Sequence, residues 1–260
     1  SKSYSQLRED SESFSRAVCA LGEQGSHLAV IGNTSYHWLT AYLGIVNAKS
    51  VAVPLDASLP AEELCELMDR ADVTALVLDE CRLDVADLAR SRCPKLKHLI
   101  SMQKEAHGDG WLSMEQLLRE NAGVFDEEPE PDQLCTIMFT SGTTGKSKGV
   151  MLTHRNLAEN ATCLDMKIPA RTVILSVLPI HHAYCLSMDI LKGLSLGSVI
   201  CINDSLMRVA KNIKLFQPNM ILMVPLMIET FAKKLEEVSM LPAAIVRSQV
   251  FGKQFHTICS

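Results

Sequence analysis

Apolar residues fall at two alternating spacings along the chain, and the alternation predicts helices and strands in turn. Leu7, Phe14, Val18 and Leu21 share one helical face behind Ser3-Tyr4-Ser5-Gln6, which has capping-box spacing, and Gly22 and Gly25 mark the stop. A short apolar strand is predicted over 27–32. Trp38, Tyr42, Ile45 and Val46 return to the helical period, and 51–55 reads as a strand closed by Pro54. Pro60 suits a first helical position, with Leu64, Leu67 and Met68 behind it. Strands are predicted over 74–78 and 96–101, with a helix over 84–92 between them. Ser113-Met114-Glu115-Gln116 repeats the capping-box spacing and opens a helix to about Asn121.

The pattern then breaks at Asp126-Glu127-Glu128-Pro129-Glu130-Pro131-Asp132, which is too acidic and too rich in proline for a helix or a central strand. Beyond it, strands are predicted over 134–140, 172–178, 198–202, 220–224 and 256–260, and helices over 183–194, 205–216 and 226–238. Such alternation implies an α/β fold, mainly parallel sheets flanked by helices. The expected organisation is a first α/β subdomain over 1–125, an acidic proline-rich connector over 126–133, and a second α/β subdomain over 134–260. The last five residues read as a strand with no closing helix. The expectation is therefore a truncated domain, whose first partner is the remainder of its own chain.

Composition narrows the function. With 47% hydrophobic residues in 260, a large core can be buried. A formal net charge of −5 excludes the basic excess that nucleic acids or anionic membranes require. No apolar run is long enough for a transmembrane segment, and Ser1-Lys2-Ser3-Tyr4-Ser5 is not a signal peptide, so a cytoplasmic location is expected. Nine cysteines without a C-x-x-C pair read as reduced, mostly buried thiols and not as a zinc site.

One segment stands apart from this pattern. Thr140-Ser141-Gly142-Thr143-Thr144-Gly145-Lys146-Ser147-Lys148-Gly149 packs three glycines, five hydroxyls and two lysines into ten residues directly after an apolar strand. Glycines let the backbone turn and approach a ligand, successive amides converge on an anion, and lysines add charge-assisted bonds. A polyphosphate needs this set of groups. The nucleotide-hydrolase loop, G-x-x-x-x-G-K-[ST], matches only at Gly145-Lys146-Ser147, with Thr140 where its first glycine belongs. That loop also runs straight into a helix. Here Val150-Met151-Leu152-Thr153 follows, a β-prone run, so the segment is expected at the tip of a hairpin. A strand-to-helix turn beginning at Ser147 is the alternative.

Residues 139–151, F-T-S-G-T-T-G-K-S-K-G-V-M, resemble the signature loop of the acyl-adenylate-forming (AMP-binding) enzymes, above all the acyl-CoA synthetases. The usual loop has proline where this chain has Ser147. Thr153-His154-Arg155-Asn156 resembles the family's T-H-x-N, Leu178-Pro179-Ile180-His181-His182 its L-P-x-x-H, and Val224-Pro225 its V-P step. Val53-Pro54-Leu55-Asp56 resembles V-P-L-x-P, with Ala57 in place of the second proline. The resemblance runs over nearly the whole chain.

It implies an incomplete adenylate-forming N-terminal domain. The implied reaction is ATP-dependent activation of a carboxylic acid, fatty or otherwise apolar, to an acyl-adenylate. The acyl group then passes to CoA or another thiol. Attack on the α-phosphorus expels pyrophosphate, whose charge must be neutralised. Thr140, Ser141, Gly142, Thr143, Thr144, Gly145 and Lys148 form the implied phosphate cradle, with Lys146 helping from its outer side. Mg2+ bridges the phosphates. His182 stands where the family orients the substrate carboxylate; a capping or core histidine is the other reading. His181 is expected to face elsewhere, since neighbours on a strand point to opposite faces. His154 is expected to be structural. The segments implied for adenine, ribose and the catalytic lysine are missing from residues 1–260, which alone are expected to be inactive. A non-catalytic piece of the same fold is the third reading.

Overall fold

The computed structural model describes residues 1–103, 108–140, 147–163, 168–203 and 205–238. They fall into two bodies, divided between Met220 and Ile221. In the first, α1 (Tyr4–Ala20) leads to β1 (His27–Ile31), α2 (Tyr36–Asn47), β2 (Val51–Leu55), α3 (Ala61–Arg70), β3 (Val73–Leu78), α4 (Leu83–Arg92) and β4 (His98–Ser101). Next come β5 (Trp111–Ser113), α5 (Met114–Glu120), β6 (Leu134–Thr140), β7 (Lys148–Thr153), α6 (His154–Thr162) and β8 (Val173–Ser176). A π-helical segment, Cys185–Leu191, continues as α7 (Lys192–Ser195), followed by β9 (Val199–Ile202) and α8 (Val209–Phe216). The second body contributes α9 (Pro225–Val238), opened by a proline at its first position as the physics of a missing N–H favours.

Seven strands form one sheet in the order β5-β4-β3-β1-β2-β6-β7, parallel except for β7. Both faces of the central strands are covered, which is why β1, β2 and β3 carry unbroken apolar runs. The connector 126–133 leads into β6, and β6 pairs with β2, so this sheet takes strands from either side of the acidic stretch. Tyr42 of α2 binds β6 through a buried hydroxyl pair with Thr136 at 2.9 Å, and its ring stacks on Trp38. A second, two-stranded parallel sheet joins β8 and β9.

The helix starts are set by local chemistry. Ser3 accepts from Gln6 N, Ser113 from Gln116 N, and Ser35, which the sequence pattern passed over, from Trp38 N. Gly22 and Gly25 take the positive φ that follows α1.

Several expected elements differ in extent. Residues 205–216 divide into a 3₁₀ turn, Leu206–Arg208, and α8. Residues 220–224 form no strand: Met220 makes one parallel bridge to Ile174, and Pro225 then starts a helix. β5 was not foreseen, being three residues long behind Gly108 and Gly110. The strand expected over 256–260 lies outside the described residues.

One buried acid ties the lower edge of the sheet together. Glu23 is fully buried, receives the Thr74 hydroxyl and Lys97 Nζ (3.2 Å), and faces His98 Nε2 at 3.5 Å. Burial raises its carboxyl, but the bonds from Thr74, Lys97 and Ser26 outweigh it, and the net shift is downward. Its stabilisation is therefore present above the ordinary glutamate range and lost as pH falls through the lowered folded value. Glu23→Ala should cost about 2 kcal/mol in urea unfolding at pH 7, because Thr74 loses a buried acceptor. A cost below a few tenths of that would contradict this role.

Candidate active site

Thr140 and Lys148, which bound the glycine-rich segment, form the last pair of an antiparallel hairpin. β6 and β7 pair from Leu134↔Thr153 to Thr140↔Lys148, so the segment's two ends face each other across the last rung. The expectation of a hairpin holds, and the strand-to-helix alternative fails: a strand, not a helix, follows Ser147. α6 begins only at His154, where Thr153 and Asn156 form a reciprocal capping box. His154 thus opens a helix, and burial lowers its imidazole pKa. Thr140 and Lys148 are both exposed. Ser141, Gly142, Thr143, Thr144, Gly145 and Lys146 lie outside the described residues.

The sheet places the end of β6 one strand from a cleft. In the parallel ladder Ala52 of β2 pairs with Thr136 of β6. Counting four residues on along both strands brings Asp56 and Thr140 to the same C-terminal edge, one strand apart. Asp56 lines a cleft of about 530 Å3 with Gly32, Thr34, His181, His182 and Asn203. In parallel α/β sheets, ligands bind at this carboxyl edge.

His181 and His182 do not diverge as expected. They lie in a turn, where strand alternation does not apply, and their rings meet at 4.3 Å with a tilt of 52°. His182 is exposed at the cleft; its N–H donates to the Pro179 carbonyl and its own carbonyl accepts from Leu186 at the start of the next helix. The turn is moored to the first strand's exit by Ile180 N, which donates to Thr34 Oγ1 at 3.3 Å. His181 Nε2 stands 3.5 Å from Asp56 Oδ2 without a hydrogen bond, and the two form an ion pair only when the imidazole is protonated. Burial pushes the His181 pKa down to about 4 despite Asp56, with His182 adding to the fall. The ring is neutral at pH 7. Asp56 is raised by burial but brought lower overall by hydrogen bonds from Ser58 and by both histidines. The Asp56–His181 contact spans 125 residues of sequence and had no local signal.

A second buried acid lies in the helix that follows. Asp189 is fully buried in the π-helical segment, with Oδ1 unpartnered and Oδ2 3.9 Å from Cys185 Sγ. π-helical geometry is rare and frequent at functional sites. The sequence pattern foresaw a plain helix there.

These features define a mainly parallel α/β domain with an antiparallel β6–β7 pair at one edge of its sheet. The chain belongs to the AMP-binding enzyme family, whose description matches residues 1–253. It is 30% identical over 207 residues to a propanoyl:CoA ligase of Mycobacterium tuberculosis (its acyl group a 7a-methyl-1,5-dioxo-octahydro-1H-inden-4-yl propanoyl unit), covering 75% of this chain and 40% of that protein. It is 26% identical over 267 residues to long chain acyl-CoA synthetase 8 of Arabidopsis thaliana, covering 91% of this chain and 37% of that one. The adenylation domain of a carboxylate reductase from Mycobacterium chelonae superposes with a TM-score of 0.81 at 21% identity, over 96% of this chain and 44% of that chain. At that identity the superposition speaks for the fold. The chain thus spans about 40% of the length of these relatives.

Proposed function

We propose that the whole protein is an acid–thiol ligase of the acyl-CoA synthetase type. It activates a carboxylic acid with ATP to an acyl-adenylate and passes the acyl group to CoA or another thiol. The observation that carries this reading is the hairpin: Thr140 and Lys148, exposed and paired across its last rung, stand one strand from the Asp56–His181–His182 cleft. An exposed hydroxyl and an ammonium flanking a glycine-rich segment fit a polyphosphate. Thr140, Ser141, Gly142, Thr143, Thr144, Gly145, Lys146 and Lys148 are assigned to the departing pyrophosphate, and His182 to the substrate carboxylate.

The relatives' acyl groups, long-chain in one and a polycyclic propanoyl unit in the other, favour an apolar acid. Mg2+ would accompany the ATP phosphates, with a protein ligand expected outside residues 1–260; among the described residues no three His, Cys, Asp or Glu side chains form a ligand set. A cytoplasmic site of action fits the free cysteines among the described residues. No helix among them is long and apolar enough to cross a membrane. Residues 1–260 alone are assigned no turnover.

The test is ATP–pyrophosphate exchange by the intact protein across a panel of acids from acetate to long-chain and polycyclic acids. Exchange that depends on an apolar acid is expected. Hydrolysis of ATP to ADP without any acid dependence would contradict the reading.

A further inference from the structure

Arg70, the last residue of α3, reaches the base of the hairpin. Its Nη2 donates to the Ser147 carbonyl at 2.7 Å, and its guanidinium lies over the Phe139 ring at 5.5 Å. Phe139 stands on the outgoing strand just before Thr140, and Ser147 on the returning limb just before Lys148. One planar cation therefore touches both limbs. A planar guanidinium with several donors can bond a carbonyl while lying over an aromatic ring, a combination the compact ammonium of lysine matches less well.

Position 149, opposite Phe139, has no side chain. Gly149 is the cross-strand partner of Phe139, and a Cβ there would come within 3.2 Å of Ile137 and 3.4 Å of the Phe139 ring. Glu66, one turn back on α3, approaches Arg70 Nη1 at 4.0 Å in an exposed pair that adds little. At residue 147 serine leaves φ free, where a proline would fix it.

We propose that Arg70 is a positioning residue for the phosphate hairpin. It holds the returning limb at Ser147 so that Thr140 and Lys148 stay in register for a polyphosphate. The catalytic consequence rests on the ATP reading above; the clamp itself does not.

The experiment uses the intact protein with Arg70→Ala, Arg70→Lys and the double variant Arg70→Ala/Ser147→Pro. Two readouts are taken: KM for ATP and for the acid in pyrophosphate exchange, and the rate of trypsin cleavage after Lys148, a bond that Ser147→Pro leaves cleavable. Arg70→Ala should raise the ATP KM about tenfold, the scale of one charge-assisted bond, while leaving the acid KM and the melting temperature unchanged. Arg70→Lys should recover little, and the double variant should return within about twofold of wild type. Cleavage should quicken in Arg70→Ala and slow again in the double variant. An ATP KM equal to wild type overturns the proposal, as does a joint rise of both KM values with no rescue by Ser147→Pro. Should the wild type show no exchange with any acid, quickened and rescued cleavage would leave the clamp standing and sink only the ATP reading. Unchanged cleavage would sink both.

Discussion

Lys148→Ala should lower kcat/KM for ATP–pyrophosphate exchange about a hundredfold in the intact protein, the upper part of the range for one charge-assisted bond to a phosphate shielded from solvent. The residue begins β7 opposite Thr140, and its side chain points from an exposed edge, so its removal leaves no buried group unpaired. Loss of activity should therefore come without loss of stability. Lys148→Arg should recover part of the rate, because charge is kept while the point geometry of the ammonium is not. Steady-state exchange at varied ATP, with a thermal melt of each variant, checks both halves. A loss below about twofold, or a loss that tracks a lowered melting temperature, contradicts the assignment.

The largest stability effect should come from Asp189. Burial pushes its carboxyl up to about 7, with hydrogen bonds from Ser176 and Cys185 offsetting only part of the shift. The folded protein keeps this proton between the ordinary aspartate value of about 4 and about 7, where the unfolded chain has released it. The sign follows: Asp189 destabilises the fold increasingly as pH rises through that window, by up to about 4 kcal/mol at its upper end. Asp189→Asn removes the titration. The variant should match wild type near pH 4 and exceed it by several kcal/mol at pH 8, a difference from which the other titrating groups cancel. Urea unfolding of both proteins from pH 4 to pH 8 reads this directly. A difference that stays constant across the range contradicts a carboxyl held protonated in the fold.

Much of the fold was legible because its signals are local. Ser3 and Ser113 cap their helices through bonds to the third residue on, which a four-residue pattern encodes. β1, β2 and β3 announce themselves as apolar runs because both of their faces are covered. The hairpin was readable from Val150 and its neighbours, whose β-prone run cannot continue a helix from Ser147. What could not be read depends on tertiary placement. β5 exists because β4 offers it an edge, and nothing in Trp111-Leu112-Ser113 alone marks a strand. The His181–His182 contact depends on a turn where strand alternation had been assumed. Asp56 meets His181, and Arg70 meets Ser147, across long sequence separations that no short pattern records.

Hydrogen–deuterium exchange of the intact protein tests the grip of the hairpin most directly. Magnesium pyrophosphate or MgATP should slow exchange in peptides spanning 138–150, and adenosine alone should not. Protection that appears elsewhere while those peptides exchange at the free rate would contradict a phosphate site between β6 and β7.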